Sequence, residues 1–281
     1  MTLSLVFLLF VIYSMIGWLV EVLYCSIREQ KFVNRGFLFG PFCPIYGFGS
    51  LFIIVLLEPF KYDFLFLFLI TVLLAVIVEF VTSWLLETAF STKWWDYSSY
   101  PFNINGRVCL PYSLMFGSIG VVCVQFLHPA VLELAAGVPS ELIDTVSGIF
   151  VAIMLTDIAA TLKTLIHFDR KLGGLKDFLE GLQSNVEKPV WFNERDIRGS
   201  LNRLKILSRD DRTGTLVRLA SRIEHLFAHT HGMPRIFRAF PSMRHTKHGK
   251  QLALFKLFHS KSGEIEFPSN DGQQPDAHAS F

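Results

Sequence analysis

Seven charged residues in the chain are placed where they could do chemistry. Glu79, Ser83 and Glu87 stand at i, i+4 and i+8 inside an apolar run, so a helix would carry all three on one face. Asp157, Thr161 and Thr164 form a similar stripe at i, i+4 and i+7. Glu21 closes the first apolar run, and Asp96 sits in a polar block. A carboxylate left in hydrocarbon is costly unless it is paired. Arg35 and Arg107 are the natural partners, because a guanidinium fork matches carboxylate and phosphate alike. These residue types permit three uses. The set could bind a charged substrate or headgroup, fix loops to helix ends as structural ion pairs, or run acid–base chemistry. In the last case Glu21, Glu79 and Asp96 would act as acids and bases, and the arginines as charge stabilisers. Spacing does not decide which acid meets which arginine.

Two glycine- and proline-rich blocks surround these groups. The first runs from Asn34 through Pro41 and Pro44 to Gly47, and the second from Lys93 to Arg107. Irregular backbone near a bilayer survives only where protein or a water-filled cavity satisfies its N–H and C=O groups. In the second block Arg107 with Asn103 and Asn105 could hold a phosphate-bearing headgroup, while Asp96 could accept a proton or a cation. Trp94, Trp95 and Tyr97 suit an interfacial aromatic belt. The candidate substrate-binding set is therefore Glu21, Asn34, Arg35, Glu79, Trp95, Asp96, Asn103, Asn105 and Arg107. No nucleophile elbow or HExxH signature is present, so no catalytic residue is assigned, and neither a metal nor a cofactor is expected. His225 and His229 stand at i, i+4 with no third ligand at a telling distance, which reads as a solvated pair.

The elements that must position this set read as membrane helices. The 281 residues are 51% hydrophobic and only 18% charged, with 28 Phe, less charge than a soluble domain of this length carries. Runs of about 20 apolar residues mark spans, and five emerge: Leu3–Tyr24, Phe37–Leu57, Phe64–Leu86, Val108–Leu127 and Leu142–Phe168. The second is broken at its start by Pro41 and Pro44. If its regular helix begins near Ile45, about 21 Å of helix remains, short of the roughly 30 Å hydrocarbon core. Phe37–Pro44 would then enter as irregular or kinked backbone. The alternative is a Pro-capped helix start with glycines for close packing. Ser113, Gly117 and Gly120 permit close helix approach, within the chain or in a dimer. The N-terminus lacks the basic region and small-residue site of a cleavable signal and reads as a retained span. Cys25, Cys43, Cys109 and Cys123 lack CxxC spacing and are expected as free thiols. Arg28, Lys31, Arg35, Lys93 and Arg107 fall in alternate loops, which predicts an outside N-terminus and a cytoplasmic tail in the cell membrane. Both polar blocks then share the cytoplasmic side.

The fold class expected is an all-α, polytopic membrane helix bundle of about five spans with a cytoplasmic helical tail. Its divisions are 1–168 for the membrane domain, 169–267 for a basic helical tail and 268–281 for a disordered terminus. Residues 164–281 hold 19 Lys and Arg against 13 Asp and Glu, an excess of +6. Asn193–Ser208 and Thr213–Thr230 read as helices. A basic amphipathic helix beneath a membrane suits anionic lipid or a partner subunit. No fold or motif accompanies the charge that would suit nucleic acid.

Several motifs agree in order and spacing with a known family. They are Tyr13-Ser14-Met15-Ile16-Gly17-Trp18 with Glu21, Asn34 through Pro41 with Pro44-Ile45-Tyr46-Gly47, and Trp94 through Ser98 with Pro101, Asn103, Gly106-Arg107 and Cys109-Leu110. Over about the first 130 residues the chain resembles the CmpB-like family of ABC-transporter permeases. The resemblance implies a transport subunit working with a separate ATPase. The chain has no GxxxxGK[ST] phosphate loop of its own. Five spans are few for a complete pathway, which favours a homo-oligomer or larger assembly. Two other readings stand beside it: a membrane-embedded enzyme acting on lipid headgroups, and a non-catalytic membrane regulator.

Overall fold

The computed structural model describes residues 2–184, 233–253 and 256. Four helical rods in it are long and apolar enough to cross a membrane, so the chain is a helical, multi-pass membrane protein. Helix α1, Leu3–Glu29, starts at Thr2, whose hydroxyl accepts from the Leu5 N–H at 3.3 Å. Helix α3, Phe64–Phe90, starts at Asp63, whose carboxylate accepts from the Phe66 N–H at 3.0 Å. These caps satisfy helix-end donors that would otherwise be orphaned. Helix α4, Leu110–Val122, a π-helical turn Cys123–Leu127 and helix α5, His128–Ala136, join into one rod. Helix α6, Ser140–Ser184, is the longest element.

The span expected over Phe37–Leu57 is not a full helix. Helix α2 covers Pro44–Leu57, 14 residues, with Pro44 in its first turn. Residues 31–43 ahead of it are irregular. Pro41 and Pro44 supply no N–H to a helical ladder, and their rings disfavour helix in the residues before them. The short-helix reading, with an irregular entry, is the one the backbone takes.

Helices α1 and α2 cross closely. A Cβ on Gly47 would lie 2.3 Å from Ser14 Oγ, and the gap cannot admit one. Helices α3 and α4 do the same at Gly117, where a Cβ would lie 2.2 Å from Val72 Cγ2. Thr71 Oγ1 also donates to the Gly117 carbonyl at 3.0 Å. The small-residue stripe on α4 is thus used within the chain. Outside the bundle Val55, Leu65, Leu69 and Leu155 are exposed, as a lipid-facing surface requires.

One end of the bundle collects the polar material. The C-terminal ends of α1 and α3, the irregular entry to α2 and the loop 91–109 all lie there. That loop holds strand β1, Thr92–Lys93, and a hairpin of β2, Asn103–Ile104, and β3, Val108–Cys109. At about 67 Å, α6 greatly exceeds the hydrocarbon thickness. It runs without a break through position 168, the boundary expected between membrane domain and tail. Beyond the bundle its Leu165, Phe168, Leu172 and Leu175 form a buried cluster with Trp94 and with Met233, Ile236 and Phe237 of helix α7, Met233–Ala239. Strand β4, Arg244–His245, then pairs antiparallel with β1, Thr92 opposite His245. The segment 233–245 is therefore a strap folded back over the polar end. The four cysteines are free and buried. The expected helices 193–208 and 213–230, the His225/His229 pair and the terminus 268–281 lie outside the described residues.

Candidate functional site

A cavity of about 440 Å³ runs from Arg35 and Trp95 at the polar end to Ile53 and Cys123 deeper in the bundle. Four of the predicted site residues line it: Glu21, Arg35, Glu79 and Trp95. Helix α1 presents Glu21 toward the irregular segment that carries Arg35. Arg35 Nε lies 3.5 Å from Glu21 Oε2, and the Tyr46 hydroxyl donates to Glu21 Oε1 at 2.6 Å. Burial pulls the Arg35 guanidinium down, but Glu21 together with Cys25 and Tyr97 outweighs it, and the net shift is upward. The guanidinium is therefore held in its charged form.

Glu79 projects from α3 into the same cavity and is 6% exposed. The hydroxyl of Tyr97, from the 91–109 loop, is its hydrogen-bond partner. The carboxylate's Oε2 is buried and has no partner. Burial first, then the neighbouring Glu79 and Glu21, push the Tyr97 phenol up, so it stays protonated and able to donate.

The α3 stripe divides after its first member. Arg107 Nη2 lies 2.6 Å from Glu87 Oε2, and its Nη1 donates to Ser83 Oγ at 3.2 Å. Arg107 also lies over the Phe80 ring at 5.6 Å. The second arginine thus ties the hairpin to α3 beside the cavity rather than inside it. Asp157 satisfies the irregular entry to α2. Its Oδ1 accepts from the Phe39 N–H at 2.8 Å and its Oδ2 from the Gly40 N–H at 2.7 Å.

The other predicted site residues lie outside the cavity lining. Asn34 Oδ1 accepts from Trp18 Nε1 at 2.9 Å and from the Gly36 N–H at 3.0 Å. Asp96 accepts from the Ser98 N–H and hydroxyl and faces Arg244 at 3.2 Å. Burial raises its carboxyl, but the Ser98 bonds and Arg244 prevail, so the net shift is downward. Asn103 donates to the Tyr100 carbonyl at 2.9 Å and accepts from the Gly106 N–H at 3.1 Å. Asn105 is exposed at a turn position with φ 53°. Trp95 Nε1 donates to the Arg107 carbonyl at 2.8 Å, which couples the cavity wall to the hairpin.

Two residues of the strap belong to this site without having been legible in the sequence. Arg235 donates to the carbonyls of Gly36 at 2.9 Å, Leu38 at 2.7 Å and Phe37 at 3.3 Å, and lies 4.9 Å from the Phe39 ring centre. It thereby satisfies acceptors of the irregular segment whose donors Asp157 holds. Phe240 lines the cavity, with Trp94 5.2 Å away and the Arg35 guanidinium 5.7 Å from its ring. Arg35 in turn donates to the Ala239 carbonyl. Arg235 is one cation among many in a basic tail, 197 to 199 positions from the carbonyls it meets, and no local spacing marks it. The arrangement can hold a ligand with both a polar and an apolar part, and the strap lies against its polar end.

Residues 8–162 match the model of a family described as "Putative ABC-transporter type IV". No curated protein and no solved structure matches the chain.

Proposed function

We propose, from the premise that this chain belongs to the ABC-transporter type IV family, that it is the permease subunit of a transport system driven by a separate ATPase. The observation that carries the reading is the 440 Å³ cavity between the helices, with the Glu21–Arg35 pair and Glu79 set into a mostly apolar wall. An anchor or scaffold needs no such space, and ligand sites are commonly concave and apolar with a few placed polar groups. Glu21, Arg35, Glu79 and Trp95 would contact substrate. Asn34, Asp96, Asn103, Asn105 and Arg107 would hold the walls from the polar end.

In this reading the polar end faces the cytoplasm of a cell membrane and the N-terminus faces outside, as the placement of Lys and Arg supports. The ATPase would dock at the polar end, with the basic tail over 193–231 against it or against anionic lipid. Because α2 is only half-length, a second copy of the chain would complete the pathway. The test is purification from host membranes in gentle detergent, with mass spectrometry of what co-elutes. A stoichiometric ATPase that is lost on deleting 193–231 is the expected result. No ATPase, with a retained phospholipid turned over without nucleotide, would replace transport by headgroup chemistry.

A further inference from the structure

The cavity's charges do not balance. Glu21 is paired, with Arg35 at one oxygen and the Tyr46 hydroxyl at the other. Arg35 is the only cation among the described residues that line the cavity. Arg107, the cation that meets α3, is committed to Glu87 and Ser83 outside it. Glu79 therefore faces the cavity with no cation opposite and with one oxygen, Oε2, buried and unpartnered. A buried carboxylate in that condition is costly and must take a proton or a counter-cation.

The cavity that Glu79 lines carries several aromatic residues. Tyr97 touches the Glu79 carboxylate. Tyr46 and Phe116 meet edge to face with ring centres 6.1 Å apart, and Trp95 and Phe240 close the polar end. Ring faces attract a cation, most strongly when it is desolvated, and repel an anion. A carboxylate with no cation opposite, aromatic residues in the lining and a volume in the range of small-ligand pockets together suit a cation with an apolar body. We propose that the cavity binds an amphiphilic amine, its ammonium paired with the Glu79 carboxylate and its apolar body lying between α2 and α4. This deepens the transport reading by naming a substrate class, and it rests on that reading only for the steps after binding.

The test uses the full-length protein in nanodiscs of zwitterionic lipid, without ATPase or nucleotide. The probes are 1-pyrenemethylamine and 1-pyrenemethanol, which share one ring body and differ in the ammonium. Binding is read by quenching of tryptophan fluorescence against empty discs. A charge-assisted hydrogen bond predicts that the amine binds about tenfold more tightly or better. Glu79→Gln should bring the two probes level, Glu79→Asp should restore a preference, and Glu133→Gln, exposed on α5 and outside the cavity lining, should change neither. Equal binding of the two probes by the unaltered protein would overturn the assignment, and needs no variant to fold. Binding of 1-pyrenecarboxylate in preference to the amine would also overturn it, and would transfer the ligand to Arg35. A missing ATPase would defeat the transport reading and leave this ratio untouched. A ratio of one would defeat the amine site and leave the ATPase partner untouched.

Discussion

Removing the Asp157 carboxylate should release the irregular entry to α2 as a unit. Asp157 is 9% exposed and accepts from two backbone donors, Phe39 N–H at 2.8 Å and Gly40 N–H at 2.7 Å. Hydrogen bonds to a charged group contribute about 1.5–3 kcal/mol each, and burial leaves little solvent screening. With losses partly shared between adjacent bonds, Asp157→Ala should favour local opening by about 3 kcal/mol, or about 100-fold in the open population. Asp157→Asn keeps one acceptor and should fall between. Hydrogen exchange measured by mass spectrometry in detergent reads this directly. The informative amides are Phe42 and Cys43, which donate to the Gly40 carbonyl at 2.9 Å and the Ser14 carbonyl at 3.0 Å and do not touch Asp157. If the carboxylate clamps the segment, all four amides should exchange about 100-fold faster in the alanine variant. Faster exchange at Phe39 and Gly40 alone would show that the segment holds its shape by other means and refute the clamp.

Other perturbations probe the remaining joints. Arg107→Ala with Glu87→Gln should show coupling of about 1–2 kcal/mol in a thermal double-mutant cycle, because both side chains are largely buried; simple additivity would dismiss the pair. Gly117→Val should cost about 2 kcal/mol or more and lower the yield of monodisperse protein, since its Cβ meets Val72 at 2.2 Å and the Val72 backbone at 3.0 Å; an unchanged melting curve would contradict the close α3–α4 approach. Arg235→Met should free the strap and raise chymotrypsin cleavage near Phe237 and Phe240 by about tenfold or more, as three acceptors lose a charged donor; equal cleavage would place the strap's anchorage elsewhere. The Lys256 ammonium is pushed down from its ordinary 10.5 to about 8, chiefly by burial and then by Arg244. Its charged form is disfavoured in the fold, so protection of the strap should increase as pH rises from about 8 to 10.5 and be lower below that window. As a neutral amine it still has two hydrogens for the Pro241 and Met243 carbonyls. A flat pH profile of strap exchange, corrected for intrinsic rates, would count against it.

Much of the architecture is written in local pattern. Apolar run length marks the spans, because crossing hydrocarbon needs about 20 consecutive apolar residues whatever their neighbours are. Pro41 and Pro44 forbid a regular helix ahead of α2 for reasons internal to the backbone, and the helix accordingly has only 14 residues. The i, i+4, i+8 stripe puts Glu79, Ser83 and Glu87 on one face because helical periodicity alone decides it. What became of that stripe was a tertiary matter. Glu79 enters the cavity while Ser83 and Glu87 turn to Arg107, and no spacing along α3 distinguishes them. The pairing of Arg35 with Glu21, the capture of two amides by Asp157 and the return of Arg235 to the carbonyls of residues 36–38 join groups up to 199 positions apart. Such contacts depend on where helices cross and where the strap lands. They are set by close packing of the whole bundle and by the need to satisfy buried polar groups, conditions that exist only once the chain has folded.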